Sequence, residues 1–149
     1  MGLATEVADR LALINLEARY AKAWDSGDAL GWASVFTDEG TFEISAVGDR
    51  PRSVYVGRQE LMRFCEEFTG VISGVHLPAL PYLEIDGDRA SGHVNFHFVA
   101  IGRPAAAHTV SRTATGHYEV IYERVNGEWL MSHRLEKALE SSRSEHFDY

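Results

Sequence analysis

Several features are scarce in this chain of 149 residues, and each scarcity excludes a class of protein. The single cysteine, Cys65, rules out an internal disulfide framework and fits a reducing, cytoplasmic location. Only 14 basic residues stand against 22 acidic ones, and the net charge of −8 disfavours nucleic acid and anionic membranes as partners. No apolar run reaches the roughly 20 residues that cross a bilayer, and the N-terminus lacks a signal-peptide pattern.

The residues that are present suit one globular domain. The composition, 45% hydrophobic and 24% charged, is ordinary for such a protein, and the length suffices for a single domain over 1–149 with its own core. No repeat, low-complexity tract or linker divides the chain. P-loop, G-x-G-x-x-G, G-x-S-x-G and Cys-His nucleophile motifs are absent from the sequence, so we expect chemistry without a cofactor.

Asp25 is the most informative residue, because it ends an amphipathic helix predicted over Thr5–Trp24. Apolar residues spaced three and four apart predict one buried face, formed by Val7, Leu11, Ile14, Ala18 and Ala21. Asp25 follows Ile14 by about three turns and so continues that face. Burial and the helix dipole both oppose a carboxylate there. Since Gly27 and Asp28 supply the stop and the next cap, Asp25 is left for a functional site or, alternatively, for a backbone N–H.

Two further helices and one strand are predicted before residue 70. A short helix follows Asp28, with apolar positions at Leu30, Trp32, Ala33 and Phe36. A strand covers Thr41–Val47 and ends in a turn-rich segment. Gly57 opens the third helix, whose apolar positions are Leu61, Met62, Phe64, Cys65 and Phe68.

The second half of the chain reads as a meander of extended segments. Hairpin turns are predicted at Asp86-Gly87-Asp88 and at Asn126-Gly127. Three long strands are predicted over residues 89–101, 110–124 and 128–136, and the polar tail 138–149 is expected to fray or cover a neighbour. Three helices followed by a twisted antiparallel sheet predict an α+β domain, cone-shaped, with a pocket between the layers.

Several short phrases, taken with the order of the elements, point to a known family. They are Tyr20 to Asp28, Phe36 to Phe42, Gly57-Arg58, His76, Gly116-His117-Tyr118 and Asn126 to Trp129. Together they resemble the nuclear transport factor 2-like superfamily, especially its SnoaL-like branch, over about residues 5–137. That branch contains lyases similar to scytalone dehydratase, bile-acid dehydratase and dehydrochlorinase, as well as polyketide cyclases and members without known activity.

The resemblance implies which residues form the site. In the lyases, an aspartate that ends the first helix and a histidine on a later strand form a catalytic pair, at positions that match Asp25 and His76. Tyr20 matches a tyrosine of the bile-acid dehydratases, and Arg134 matches an arginine of the dehydrochlorinase. Three other polar residues of scytalone dehydratase are replaced here, so scytalone is not expected as substrate; they fall at Ala100, Gly116 and Tyr118.

The chemistry of an Asp-His pair explains why these two side chains could suffice. Removing a proton beside a carbonyl or a leaving group needs a base with a near-neutral pKa, which imidazole supplies. We therefore predict that His76 is the base and that Asp25 fixes its tautomer and stabilises the imidazolium. Tyr20 could donate a hydrogen bond to a substrate oxygen. The alternatives are a strand histidine bonded to a backbone carbonyl and a tyrosine that only closes the helix–sheet interface.

Alternation along the long strands separates a pocket face from an outer face. The pocket face, as the resemblance places it, carries Val94, Phe96, Phe98 and Ala100 on one strand and Tyr118, Val120 and Tyr122 on the next. We expect substrate contacts from Trp24, Phe96, Phe98, Tyr118, Val120 and Arg134. Arg134 would bind an anion or carbonyl, or else would pair with Glu136 or Glu84.

The outer face carries His93 and His97. In the superfamily that the chain resembles, this face often packs against another subunit, so we expect a homo-oligomer, most simply a dimer. A metal site shared with His117 is the alternative, but neither helical spacing nor a carboxylate motif supports it, so no metal is expected.

These features predict a cofactor-independent lyase or isomerase of the dehydratase type. It would act by Asp-His acid/base chemistry on a small, largely apolar, oxygenated ring compound, steroid- or polyketide-like. Two alternatives stay open: a polyketide cyclase in which Asp25 itself transfers the proton, and a non-catalytic ligand-binding or assembly module. A separation of Asp25 and His76 too long for a hydrogen bond would favour the binding module.

Overall fold

A computed structural model describes residues 2–105 and 108–147, and within them the chain forms three helices and a seven-stranded sheet. The helices are α1 (Leu3–Asp25), α2 (Ala29–Ser34) and α3 (Arg58–Thr69). The strands are β1 (Phe36–Ile44), β2 (Ser53–Val56), β3 (Ile72–Pro78), β4 (Tyr82–Asp86), β5 (Arg89–Ala105), β6 (His108–Val125) and β7 (Glu128–Phe147).

The sheet is curved and unclosed, in the strand order β2-β1-β7-β6-β5-β3, with β4 also paired to β5. Only β1 and β7 run parallel, and the other neighbours pair antiparallel. Long strands with right-handed twist curl the sheet, and the helices fold back on the concave face. The predicted α+β cone is confirmed. None of the three helices described has the length and hydropathy of a membrane-spanning segment.

The helices begin and end at residues that the sequence indicates. Gly27 adopts a φ of +71°, a left-handed conformation that favours glycine, and its N–H donates to the Trp24 carbonyl to end α1. Asp28 then caps α2, since its carboxylate accepts the Gly31 N–H at 2.8 Å. Gly57 precedes α3 as predicted.

The buried face of α1 differs from the predicted one. Val7 and Leu11 are 47% and 57% exposed, and Ala18 is exposed as well. The buried residues are Asp9, Leu13, Leu16, Glu17, Tyr20, Ala23 and Trp24. Two acids belong to this face because distant partners satisfy them: Asp9 accepts the Trp129 indole N–H at 3.0 Å, and Glu17 pairs with Arg134. Asp25 therefore lies at the edge of the packed face.

Aromatic rings fill the layer between the helices and the sheet. Trp32 of α2 is fully buried, and ring centroids of four neighbours lie 4.9–5.6 Å from it; these are Tyr20, Trp24, Phe36 and Phe42. Burying one such ring stabilises the fold by about 1.5–3 kcal/mol. The cluster fixes the end of α1 against the sheet and so positions Asp25.

Three strand predictions need correction. β1 starts at Phe36 rather than Thr41, and an irregularity in its pairing with β7 separates these two residues. β2 is an additional short strand. The polar tail is the second half of β7, which pairs with β6 as far as Phe147, because a strand beside a long neighbour satisfies its backbone groups there. Residues 148–149 of the predicted tail lie outside the described residues.

Candidate active site

Asp25 and His76 form a two-point hydrogen-bonded pair. The His76 Nδ1 lies 2.7 Å from Asp25 Oδ1, and the His76 backbone N–H donates to Asp25 Oδ2 at 2.9 Å. The His76 side chain is 7% exposed and that of Asp25 is 21% exposed. A neutral imidazole that donates from Nδ1 to the carboxylate carries its lone pair on Nε2. The pair therefore holds the ring in the tautomer and orientation of a general base.

β3 directs His76 inward by simple alternation. Its neighbours Val75 and Leu77 are 54% and 58% exposed on the outer face, so His76 lies on the inner one. His76 pairs with Phe98 of β5, and the two rings lie 4.6 Å apart. Gly74 makes this contact possible, since a Cβ at that position would overlap the Phe98 ring. The imidazole is thus seated against an aromatic wall.

His76 opens onto a cavity of about 120 Å³ between the helices and the sheet. Six residues predicted for the site line it: Tyr20, Trp24, His76, Phe96, Phe98 and Tyr118. Asp25 does not line the cavity, because it contacts the Nδ1 side of the imidazole. The remaining wall is formed by Phe42, Ile44, Arg50, Phe64, Phe68, Arg112, Thr113, Ala114, Glu136 and Ser141.

Arg134 and Val120 do not line the cavity, contrary to prediction. The Arg134 guanidinium carbon lies 3.8 Å from the ring centroids of both Tyr20 and Tyr118, and its Nη1 donates to both Glu17 oxygens at 2.8 Å. Its partner is therefore Glu17, neither Glu136 nor Glu84. Val120 is 1% exposed in the core, since α1 packs directly on this part of the sheet. Arg134 instead holds two cavity tyrosines in place from behind.

Both cavity tyrosines are kept protonated. Burial raises the pKa of Tyr20, although the nearby Arg134 charge opposes the rise. Burial also raises the pKa of Tyr118 well above its ordinary value. The Tyr20 ring meets His76 edge-on at 6.0 Å. A phenol held neutral beside the imidazole can donate a hydrogen bond to a substrate oxygen.

The sequence of the chain matches a known family over most of its length. The sequence profile of the SnoaL-like domain family matches residues 5–135. This chain belongs to the SnoaL-like domain family. The match confirms the resemblance that the short sequence phrases indicated. A search of curated proteins found no match to this chain.

Solved structures share the fold of this SnoaL-like protein. Rv3472 of Mycobacterium tuberculosis, a protein of unknown function solved as an aspartate-to-asparagine variant, is 28% identical, with a TM-score of 0.76 over 93% of this chain and 76% of that one. A hexachlorocyclohexane dehydrochlorinase (LinA, type 2) is 18% identical, with a TM-score of 0.80 over 93% and 90%. A protein from Novosphingobium aromaticivorans that is named as a candidate scytalone dehydratase is 13% identical, with a TM-score of 0.80 over 95% of this chain and 91% of that one.

Glu136 is an acidic residue of the cavity wall that the sequence prediction missed. Burial raises the pKa of its carboxyl, even though the charges of Arg50 and Arg134 lower it. The sequence suggests Glu136 only as a possible ion-pair partner of Arg134. Alternation on β7 offered a signal, because Glu136 lies two residues after the buried Arg134 and so shares its inward face. Ser141 was missed because it fell in the segment predicted as a tail.

The outer histidines of the SnoaL-like domain lie apart from the cavity. The rings of His93 and His117 stack at 4.5 Å, and His93 Nε2 lies 3.1 Å from the Asn95 side-chain oxygen. His97 Nδ1 lies 2.9 Å from the Thr115 hydroxyl. Across the part of the chain that the structure describes, no three His, Cys, Asp or Glu side chains come together as a metal site would require.

Proposed function

We propose that this protein is a cofactor-independent lyase or isomerase of the dehydratase type, in which His76 is the general base and Asp25 positions it. The observation that carries the proposal is the two-point hydrogen bond between Asp25 and His76 at the wall of an aromatic cavity. A base held in one tautomer within an apolar site needs no cofactor to remove a carbon-bound proton.

The elimination step balances with this chain's own groups. His76 Nε2 takes the proton from carbon, and the electron pair of the broken C–H bond forms a C=C bond. The leaving oxygen departs with its bonding pair and recovers the proton from the imidazolium as water. Asp25 stabilises the imidazolium between the two proton transfers, and Tyr20 donates a hydrogen bond to a substrate oxygen.

The size of the cavity favours a compound of one or two rings over a steroid. A volume of about 120 Å³ is close to that of engineered cavities that bind benzene, whereas drug-sized ligands occupy roughly 300–1,000 Å³. Two proteins of the same fold are named as enzymes that act on ring compounds. One is a hexachlorocyclohexane dehydrochlorinase, and the other is a candidate scytalone dehydratase. Both features support a small, oxygenated ring compound as the substrate.

The Asp25–His76 contact favours an enzyme over a non-catalytic binding module. Asp25 occupies the Nδ1 side of the imidazole, and the ring lines the cavity, so its other nitrogen is placed toward a bound molecule. A polyketide cyclase could use the same pair, and product analysis by mass spectrometry separates the two reactions, because dehydration loses one water and cyclisation alone does not.

A small neutral elimination substrate, 5-nitrobenzisoxazole, tests the base directly. Removal of its ring proton breaks the N–O bond and releases a coloured phenolate. We expect His76→Asn to lower kcat/KM by about 10²-fold or more. Asp25→Asn should lower it by about tenfold or more, because an amide cannot stabilise the imidazolium.

The matched control is His97→Asn, which removes an imidazole from the outer face. This variant should keep the wild-type rate. Wild-type protein that is no faster than the His76→Asn variant would refute the proposed base.

A further inference from the structure

The cavity wall carries two positive charges, although the protein as a whole is acidic. The protein carries a net charge of −8, yet two arginines, Arg50 and Arg112, line the cavity. Both are exposed residues, so they lie where the cavity meets solvent. The rings around His76 form the apolar interior, and the two guanidinium groups border its mouth.

The backbone fixes both arginines at this border. Arg50 closes a tight turn in which it exchanges two backbone hydrogen bonds with Val47, each 3.0 Å long. The same segment is tied to β7, because the Ser45 N–H donates to the Glu136 carbonyl at 2.9 Å. Arg112 lies on β6 in register with the buried Ala100 of β5. Two separate parts of the chain therefore present a guanidinium to one opening.

These arginines differ from most others in the molecule. Six arginines form ion pairs with carboxylates of this chain: Arg10, Arg52, Arg58, Arg89, Arg124 and Arg134. Among the carboxylates whose side chains the structure describes, none comes within ion-pair distance of Arg50 or Arg112. One acid, Glu136, shares the cavity wall with the two arginines; burial raises its pKa and the charge of Arg50 lowers it, but no ion pair joins Glu136 to Arg50 or Arg112.

A groove continues from the cavity past Arg112. A second, more open pocket of about 180 Å³ shares Phe68 and Arg112 with the cavity and extends to Arg143. A ligand can thus keep its ring beside His76 while its other end lies over basic side chains at the surface.

We propose that the substrate is an organic anion, whose carboxylate or phosphate binds Arg50 and Arg112 at the mouth while its apolar ring occupies the cavity. Guanidinium groups match both kinds of anion with paired N–H donors. The inference rests on the proposed function for the identity of the reacting end. It adds the charge of the other end of the substrate, which the aromatic lining of the cavity does not specify.

Probes that share a phenyl ring and differ in charge test the preference by binding alone; the carboxylate and the amide also match in shape. We expect 3-phenylpropionate and 2-phenylethyl phosphate to bind the wild-type protein about tenfold more tightly than neutral 3-phenylpropanamide in ligand-detected NMR titrations. Added salt should reduce the difference, because the arginines are exposed.

The double variant Arg50→Gln/Arg112→Gln should bind the anionic and neutral probes equally. The control Arg19→Gln/Arg63→Gln removes the same number of charges from exposed positions outside the cavity lining and should keep the preference. Equal binding, or no binding, of the probes by the wild type overturns the proposal, as does a preference that survives in the double variant.

Failure of this inference and failure of the proposed function give different results. The His76→Asn variant should lose the elimination reaction while it keeps the anion preference. A wild-type protein without the preference but with His76-dependent elimination would remove the anion site and leave the base intact.

Discussion

Glu136 shows how one side chain reports on the cavity around it. Its carboxyl lies at an aromatic wall, and burial raises its pKa above the ordinary 4.5. A raised pKa in the folded state means that the folded protein binds the proton more tightly than the unfolded chain does. Stability should therefore fall as the pH rises from the unfolded pKa through the folded one.

The variant Glu136→Gln tests the predicted direction of the pH dependence of stability. We expect the variant to gain stability relative to the wild type as the pH rises from about 4 through the raised pKa of Glu136, because the amide has no charge to desolvate. Thermal unfolding of both proteins across this range provides the measurement. A stability difference that is the same at every pH would contradict the raised pKa.

The residues of the site were predictable to different extents for physical reasons. The Asp25–His76 pair followed from a carboxylate without a structural role and from the family resemblance, although the apolar face used to argue its burial was wrong. Local spacing cannot show that Asp9 and Glu17 are buried, because Trp129 and Arg134 reach them from the other end of the chain. For the same reason, the Glu17 partner of Arg134 could not be predicted.

At the scale of elements, a β-bulge interrupts the pairing of β7 with β6 between Thr115 and Gly116. Thr115 pairs with Glu140 while Gly116 pairs with Ala138, so β7 carries an extra residue at this point. A Cβ on Gly116 would overlap the Lys137 carbonyl oxygen. The glycine lets β7 bend across the sheet and bring Ser141 to the cavity wall.

Gly116→Ala should destabilise the protein by about 2 kcal/mol, because two backbones must separate to admit the methyl group. Urea denaturation followed by circular dichroism measures the change. Thr115→Ala, at the exposed neighbouring position, is the control and should stay within about 0.5 kcal/mol of the wild type. A Gly116→Ala variant as stable as that control would show that the bulge does not need glycine.

Elements with local signals were predicted well, and those that depend on distant pairing were not. The Asn126-Gly127 hairpin is confirmed, with φ values of +51° and +85° that suit a two-residue turn. Phe36 is predicted in the second helix, and residues 37–40 and the second half of β7 are mostly polar or glycine, so the sequence does not indicate strands there. They become strands only because neighbouring strands supply hydrogen-bond partners.

At the scale of the whole molecule, the outer sheet face presents apolar side chains to solvent. Val75 and Val99 pair across β3 and β5, and Leu77 and Ile101 lie on the same face; all four are between 36% and 58% exposed. Exposed apolar patches on a sheet commonly mark interaction surfaces. The dimer through this face remains a prediction.

Leu77→Lys/Ile101→Lys should convert the predicted dimer to a monomer, because charges would be buried in the interface. Light scattering coupled to size-exclusion chromatography measures the mass of both proteins. Val125→Lys, a partly exposed apolar position at the β6–β7 turn, serves as the control and should leave the mass unchanged. A wild-type protein that runs as a monomer would contradict the dimer.

The proposal that His76 is the base is tested most directly by comparing two titrations of the same protein. One is the pH dependence of kcat/KM for 5-nitrobenzisoxazole, and the other is the NMR titration of the His76 ring, assigned with the His76→Asn variant. We predict that the rate rises with pH and that its midpoint coincides with that of the ring, since only the neutral imidazole accepts the proton. A rate whose midpoint differs from the ring titration, or a pH profile that persists in His76→Asn, would contradict the proposal.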